Sequence, residues 1–95
     1  MTERVIVIGS GFGGLASALR ARNMGFDVTV IERLDQLGGR AQTFERDGFV
    51  FDAGPTVITA PFLFDELFEL FDRKIKDYVE ILPVTPWYRY EFNDG

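Results

Sequence analysis

Apolar positions along this chain change their spacing several times, and each change predicts an element. Val5-Ile6-Val7-Ile8 is a short unbroken apolar run, the pattern of a strand buried on both faces. After Gly9 the spacing becomes helical, with Phe12, Leu15, Ala16 and Leu19 on one face. Gly25 stands where a helix ends, and Phe26 is placed to fold back on the last turn. Val28-Thr29-Val30-Ile31 restores a strand pattern, closed by the acidic Glu32. From Arg4 to Glu32 the unit has about thirty residues, the length of a βαβ unit.

The second half alternates differently. Thr43-Phe44-Glu45 and Phe49-Val50-Phe51 flank Arg46-Asp47-Gly48, which predicts a hairpin with glycine at its turn. Thr59 as a cap and Pro61 in the first turn predict a helix running to about Phe71. Its apolar residues exceed one face, since Leu63 and Leu70 lie beside a Phe64–Leu67–Phe68–Phe71 stripe. Three uses compete for that surface: packing within the intact protein, contact with chain outside this sequence or with another copy, and a membrane surface. Asp65, Glu66, Glu69 and Asp72 argue against the last, because they would oppose anionic lipid. Trp87 to Phe92 alternates like a half-buried strand, and Asn93-Asp94-Gly95 is a hairpin turn. A partner strand is expected beyond it, so the chain is read as part of a longer protein.

Composition narrows the chemistry. Of the 95 residues, 46% are hydrophobic and 15% aromatic, too many for a disordered chain. The net charge of −5 is uneven: residues 1–46 carry +1 and residues 47–95 carry −6. No basic patch suits a nucleic-acid partner. Cysteine and histidine are absent, which excludes thiolate chemistry, histidine bases and the common zinc sites within this chain. No metal site is expected, and no catalytic acid or base can be assigned. No apolar run approaches the ~18 residues of a membrane span. Ala16-Ser17-Ala18 matches a signal-peptide cleavage pattern, but four glycines interrupt the apolar segment before it, and their spacing fits another motif.

That motif is Gly9-Ser10-Gly11-Phe12-Gly13-Gly14, which reads G-x-G-x-x-G with an extra glycine. Alone it is weak evidence. Here a strand precedes it, a helix follows, and an acid stands 18 residues beyond its last glycine, as a dinucleotide site requires. Gly9 permits the tight turn, Gly11 lets backbone approach a pyrophosphate, and Gly14 lets the helix pack closely on the strands. The helix N-terminus then faces the phosphates, and Glu32 can accept hydrogen bonds from ribose hydroxyls. A glycine-rich turn with no ligand would need neither the spacing nor the acid. A carboxylate at position 32 disfavours a ribose 2′-phosphate, an inference softened by Arg33 beside it. The fingerprint does not separate NAD from FAD. Gly38 and Gly39 would bring bare backbone back to the ligand, and Arg40 a cation to the pyrophosphate. Such a second clamp suits a long, extended cofactor, and FAD fits that description.

At this point the stretches VIVIGSGFGGLASA, VIERLDQLGGRA, FDAGPTVIT and EILPVTPWYR together resemble the N-terminal part of bacterial-type phytoene desaturases. These are FAD-dependent carotenoid dehydrogenases of the amine-oxidase-like flavoprotein superfamily. The first two stretches are common across that superfamily; the last two are narrower and also occur in carotenoid isomerases and oxygenases. The resemblance covers essentially the whole chain. It implies an α/β fold: the N-terminal part of a Rossmann-like FAD-binding fold, with an incomplete sheet, then the hairpin and the Phe-rich helix. Residues 1–58 would form the FAD-binding unit and residues 59–95 the start of a substrate-side region. The cofactor residues implied are Gly9, Gly11, Phe12, Gly13, Gly14, Glu32, Arg33, Gly38, Gly39, Arg40, Gly54, Pro55, Thr56 and Val57. Without the resemblance, Gly54 to Val57 would read as a plain strand-to-helix turn.

The implied activity is desaturation of a polyene hydrocarbon such as phytoene, with isomerase or ketolase chemistry as the alternative. The expected location is cytoplasmic, with peripheral membrane contact of the longer protein. Members of this family are several hundred residues long and complete their FAD site and substrate tunnel with later segments. Alone, this chain is therefore expected to be a non-catalytic nucleotide-binding module, with weak or absent FAD binding, and to self-associate.

Overall fold

The structure, a computed structural model, describes residues 2–94. Strand β1 (Arg4–Ile8), helix α1 (Phe12–Asn23) and strand β2 (Asp27–Ile31) form the expected βαβ unit. The strands are parallel, with Val5 opposite Val28, Val7 opposite Val30 and Ile8 opposite Ile31. Helix α1 ends as the glycine signal predicts. Gly25 has φ +101°, its N–H donates to Arg22 O at 3.0 Å, and the Phe26 N–H reaches back to Ala21 O at 3.2 Å. These two bonds are a Schellman closure, which needs a left-handed residue between them.

Only one face of this sheet is covered. The unbroken apolar run predicts burial on both faces, and the structure corrects that. Val5, Val7 and Val28 face α1 and are partly buried, whereas Ile6 is 62% and Ile8 85% exposed on the opposite face. One crossover helix can cover one side; a doubly wound sheet needs helices on both. Ala18 of α1 is the one buried apolar residue among those described.

Strands β3 (Thr43–Arg46) and β4 (Phe49–Asp52) form a separate antiparallel hairpin. Asp47 and Gly48 at its turn both have positive φ, 53° and 81°, the type I′ geometry that matches strand twist. Phe44 and Phe51, paired across the hairpin, stack with ring centroids 5.2 Å apart.

Helix α2 (Pro61–Glu69) begins with proline in its first turn, as expected. Its cap position is Ala60, with no side-chain cap bond, so Thr59 does not cap it. The helix also stops short of Phe71, because Asp72 turns left-handed at φ +55° and the Arg73 N–H closes onto Phe68 O. The predicted stripe of Phe64, Leu67, Phe68 and Phe71 is partly buried, while Phe62 and Leu63 are exposed. Two contacts tie α2 to α1. The Phe12 and Phe64 rings meet edge to face at 5.4 Å, and Arg20 forms an ion pair with Glu66 at 2.8 Å.

Trp87 to Phe92 form no strand. Alternation makes a strand only where a neighbour supplies hydrogen bonds and a surface to bury one face, and nothing pairs with this segment among the described residues. Its rings instead pack locally, Trp87 on Tyr88 and Tyr88 on Tyr90. Gly95 of the predicted terminal turn lies outside the described residues. The extended tail lengthens the molecule. The Cα radius of gyration is 17.4 Å, against about 12 Å for a compact chain of this length. No helix among the described residues is long and apolar enough to cross a membrane.

Candidate nucleotide site

The chain leaves β1 through Gly9, whose φ of +100° only glycine adopts readily. Its N–H donates to Ile31 O at 2.8 Å, extending the sheet by one bond. Gly14, one turn into α1, is where the helix crosses the strand end. A Cβ there would overlap the Gly9 carbonyl oxygen and stand 2.9 Å from its carbon. Glycine at 14 therefore sets how closely α1 lies on the sheet. The N-cap of α1 is Gly11, with no side-chain cap and no acid in the first turn. The first-turn N–H groups, and the positive end of the helix dipole, are left for an anion.

Glu32 follows β2 and turns back onto this loop. Its Oε1 accepts the Ser10 hydroxyl at 2.5 Å and the Ser10 N–H at 3.0 Å. Its Oε2 accepts the Leu34 N–H at 2.9 Å. These donors hold the carboxyl at about 2, well below its ordinary 4.5. The Leu34 N–H contributes most, then the Ser10 hydroxyl and the Ser10 N–H, with partial desolvation opposing them and the Arg33 N–H adding least. The acid the fingerprint calls for is thus anionic, oriented, and wired to the glycine loop.

A third segment closes over the first. The loop after Glu32 returns at Gly38, whose N–H donates to Ser10 O at 2.8 Å. Gly38 and Gly39 both have positive φ, 108° and 59°. A Cβ on Gly39 would stand 2.9 Å from the Gly11 Cα, so the two glycine loops touch backbone to backbone. Gly39 to Ala41 form a short 3₁₀ turn. Gly54 then packs against it so tightly that a Cβ would overlap the Arg40 carbonyl oxygen. Beyond, Pro55, Thr56 and Val57 line an apolar cleft of about 860 Å³ with Phe12, Gly13 and residues of α2.

The structure therefore gathers Gly9, Gly11, Phe12, Gly14, Glu32, Gly38, Gly39 and Gly54 around one loop, with Pro55 to Val57 alongside. Gly13 has open space where its Cβ would be, so packing does not require glycine there. The side chains of Arg33 and Arg40 are exposed and form no ion pair among the described residues. Ser10 escapes the sequence reading altogether. It is fully buried and makes three of the bonds that hold the site together. The available signal was a small polar residue between two glycines, which by itself names no partner.

Comparison with known proteins agrees with this geometry. The model of an NAD(P)-binding Rossmann-like domain matches residues 7–73. The phytoene desaturase (lycopene-forming) of Pantoea ananas is 54% identical over 89 residues, 94% of this chain and 18% of that protein. The zeta-carotene-forming phytoene desaturase of Myxococcus xanthus is 44% identical over 92 residues, 97% of this chain and 18% of that protein. The 4,4'-diapolycopene oxygenase of Methylomonas sp is 44% identical over 93 residues, 98% of this chain and 19% of that protein. The chain thus spans under a fifth of the length of the curated relatives it matches.

Proposed function

We propose that this chain, which belongs to the NAD(P)-binding Rossmann-like family, is the N-terminal FAD-binding part of an oxidoreductase that desaturates a polyene hydrocarbon such as phytoene, as its carotenoid desaturase and oxygenase relatives suggest. The observation that carries the cofactor choice is the contact of Gly39 on Gly11. A second glycine segment on the phosphate loop suits a cofactor whose pyrophosphate is approached from two sides.

The residues fit an adenine dinucleotide. Gly9 to Gly14 offer bare backbone N–H groups at a helix N-terminus, and Arg40 stands next to them with its guanidinium uncommitted among the described residues. A carboxylate has about four acceptor positions. Three donors reach Glu32 with full hydrogen-bond geometry and the Arg33 N–H acts on it only weakly, so it retains capacity for ribose. Its negative charge disfavours a 2′-phosphate, which places FAD ahead of NADP. The apolar cleft beside Pro55 to Val57 would exclude water next to the flavin end. Bound FAD would supply the two-electron acceptor for removing hydrogen from adjacent CH₂ groups.

A second reading rests on the Methylomonas relative, whose name describes an oxygenase: the same nucleotide site would then serve oxygenation of the polyene. A competition titration tests the cofactor choice. FAD should stay bound when NADPH is added at equal concentration; displacement would contradict the proposal.

A further inference from the structure

We infer that Ser10 is a positioning residue that reserves one oxygen of Glu32 for the phosphate loop, so that Glu32 accepts a single ribose hydroxyl of the bound nucleotide. The inference rests on the nucleotide reading above and goes beyond it, because it assigns a role to a residue outside the glycine fingerprint and a limit to the acid.

Ser10 is 0% exposed, so its hydroxyl has no access to water. It donates to Glu32 Oε1 at 2.5 Å, and the Ser10 N–H donates to the same oxygen at 3.0 Å. Two donors saturate that oxygen. Oε2 already accepts the Leu34 N–H, which leaves it one position. The Ser10 backbone is held in place by the Gly38 N–H on its carbonyl at 2.8 Å, and its hydroxyl, shut off from water, has no hydrogen-bond partner other than Oε1 among the described residues. The loop that touches Gly11 therefore also locks the serine that orients the acid. With alanine at position 10 the backbone bond would remain but the hydroxyl would not, and Oε1 would gain a vacant position for a second hydroxyl.

Calorimetric titration of the full chain with ADP, 2′-deoxy-ADP and 3′-deoxy-ADP tests this. In the unaltered chain, one deoxy analogue should bind within about threefold of ADP and the other at least about tenfold more weakly, the loss expected for one hydrogen bond to a charged group. In Ser10→Ala, both analogues should fall at least about tenfold below ADP. A general loosening of the fold would weaken all three ligands alike and would not create that new discrimination. Equal losses with both analogues, or with neither, in the unaltered chain would overturn the inference while leaving nucleotide binding intact. An unchanged pattern in Ser10→Ala would overturn it too. If Ser10→Ala does not fold, the unaltered chain alone decides. Failure of ADP to bind the chain even at millimolar concentration would overturn this inference, whereas the proposed function would fall only if a longer form of the protein also failed to bind FAD.

Discussion

A methyl group on Gly39 would stand 2.9 Å from the Cα of Gly11, although the two residues lie in different loops 28 positions apart. That backbone contact joins the loop after the second strand to the loop after the first. Gly39→Ala should therefore act twice, through the clash and through its left-handed φ of 59°. A loss of ~1–3 kcal/mol is expected, read as a lower urea midpoint, together with weaker nucleotide binding. An unchanged midpoint would mean that the two loops do not touch.

Gly13 and Gly14 are neighbours with opposite expectations. At Gly14 a side chain would run into the Gly9 carbonyl, so Gly14→Ala should push α1 off the strand and weaken nucleotide binding at least about tenfold. At Gly13 nothing lies within 4 Å of the added Cβ, and alanine is the better helix former. Gly13→Ala should raise stability by about 0.5–1 kcal/mol. Thermal melts of the two variants should move in opposite directions.

Glu32 predicts a pH signature. Its folded value, about 2, lies below its ordinary 4.5, so the folded state holds this proton less tightly than the unfolded chain does. Its contribution is fully present above about pH 4.5 and fades as pH falls towards 2. Glu32→Gln should therefore be less stable than the unaltered chain at pH 6, and the gap should narrow across that window. Urea unfolding at stepped pH checks this, and a gap that stayed constant down to pH 2 would show that the carboxylate is not bonded as described.

Ile6, Ile8 and Ile31 form an uncovered apolar face, 62%, 85% and 49% exposed. Such surfaces tend to find a partner. Sedimentation equilibrium should show self-association of the chain, reduced in Ile8→Lys. Because Ile8 is so exposed, that change should alter stability by no more than ~0.5 kcal/mol. A monomer at every concentration would contradict the expectation.

Much of the geometry of the glycine loop was legible from the sequence because its requirements are local. Gly9 needs its φ, Gly14 needs its close approach, and Glu32 needs only to follow a strand; each requirement leaves a residue type at a fixed spacing. Ser10 was not legible, since its role comes from a side chain 22 positions away. The covering of β1 was not legible either. A continuous apolar run says that a strand can be buried, whereas Ile6 and Ile8 are bare because no element here lies over them. Trp87 to Phe92 teaches the same lesson at the other end, for alternation describes a strand's faces and not whether a neighbour exists to pair with it.

The central claim is that Gly9 to Gly14, Glu32, Gly38 to Arg40 and Gly54 to Val57 form one site for one nucleotide. Amide NMR of the ¹⁵N-labelled chain titrated with FAD tests it most directly. The account expects the backbone amides of all four segments to shift together along one binding curve, with Ile6 and Ile8 on the bare face unmoved. Shifts confined to the first loop, or segments titrating with different affinities, would contradict it.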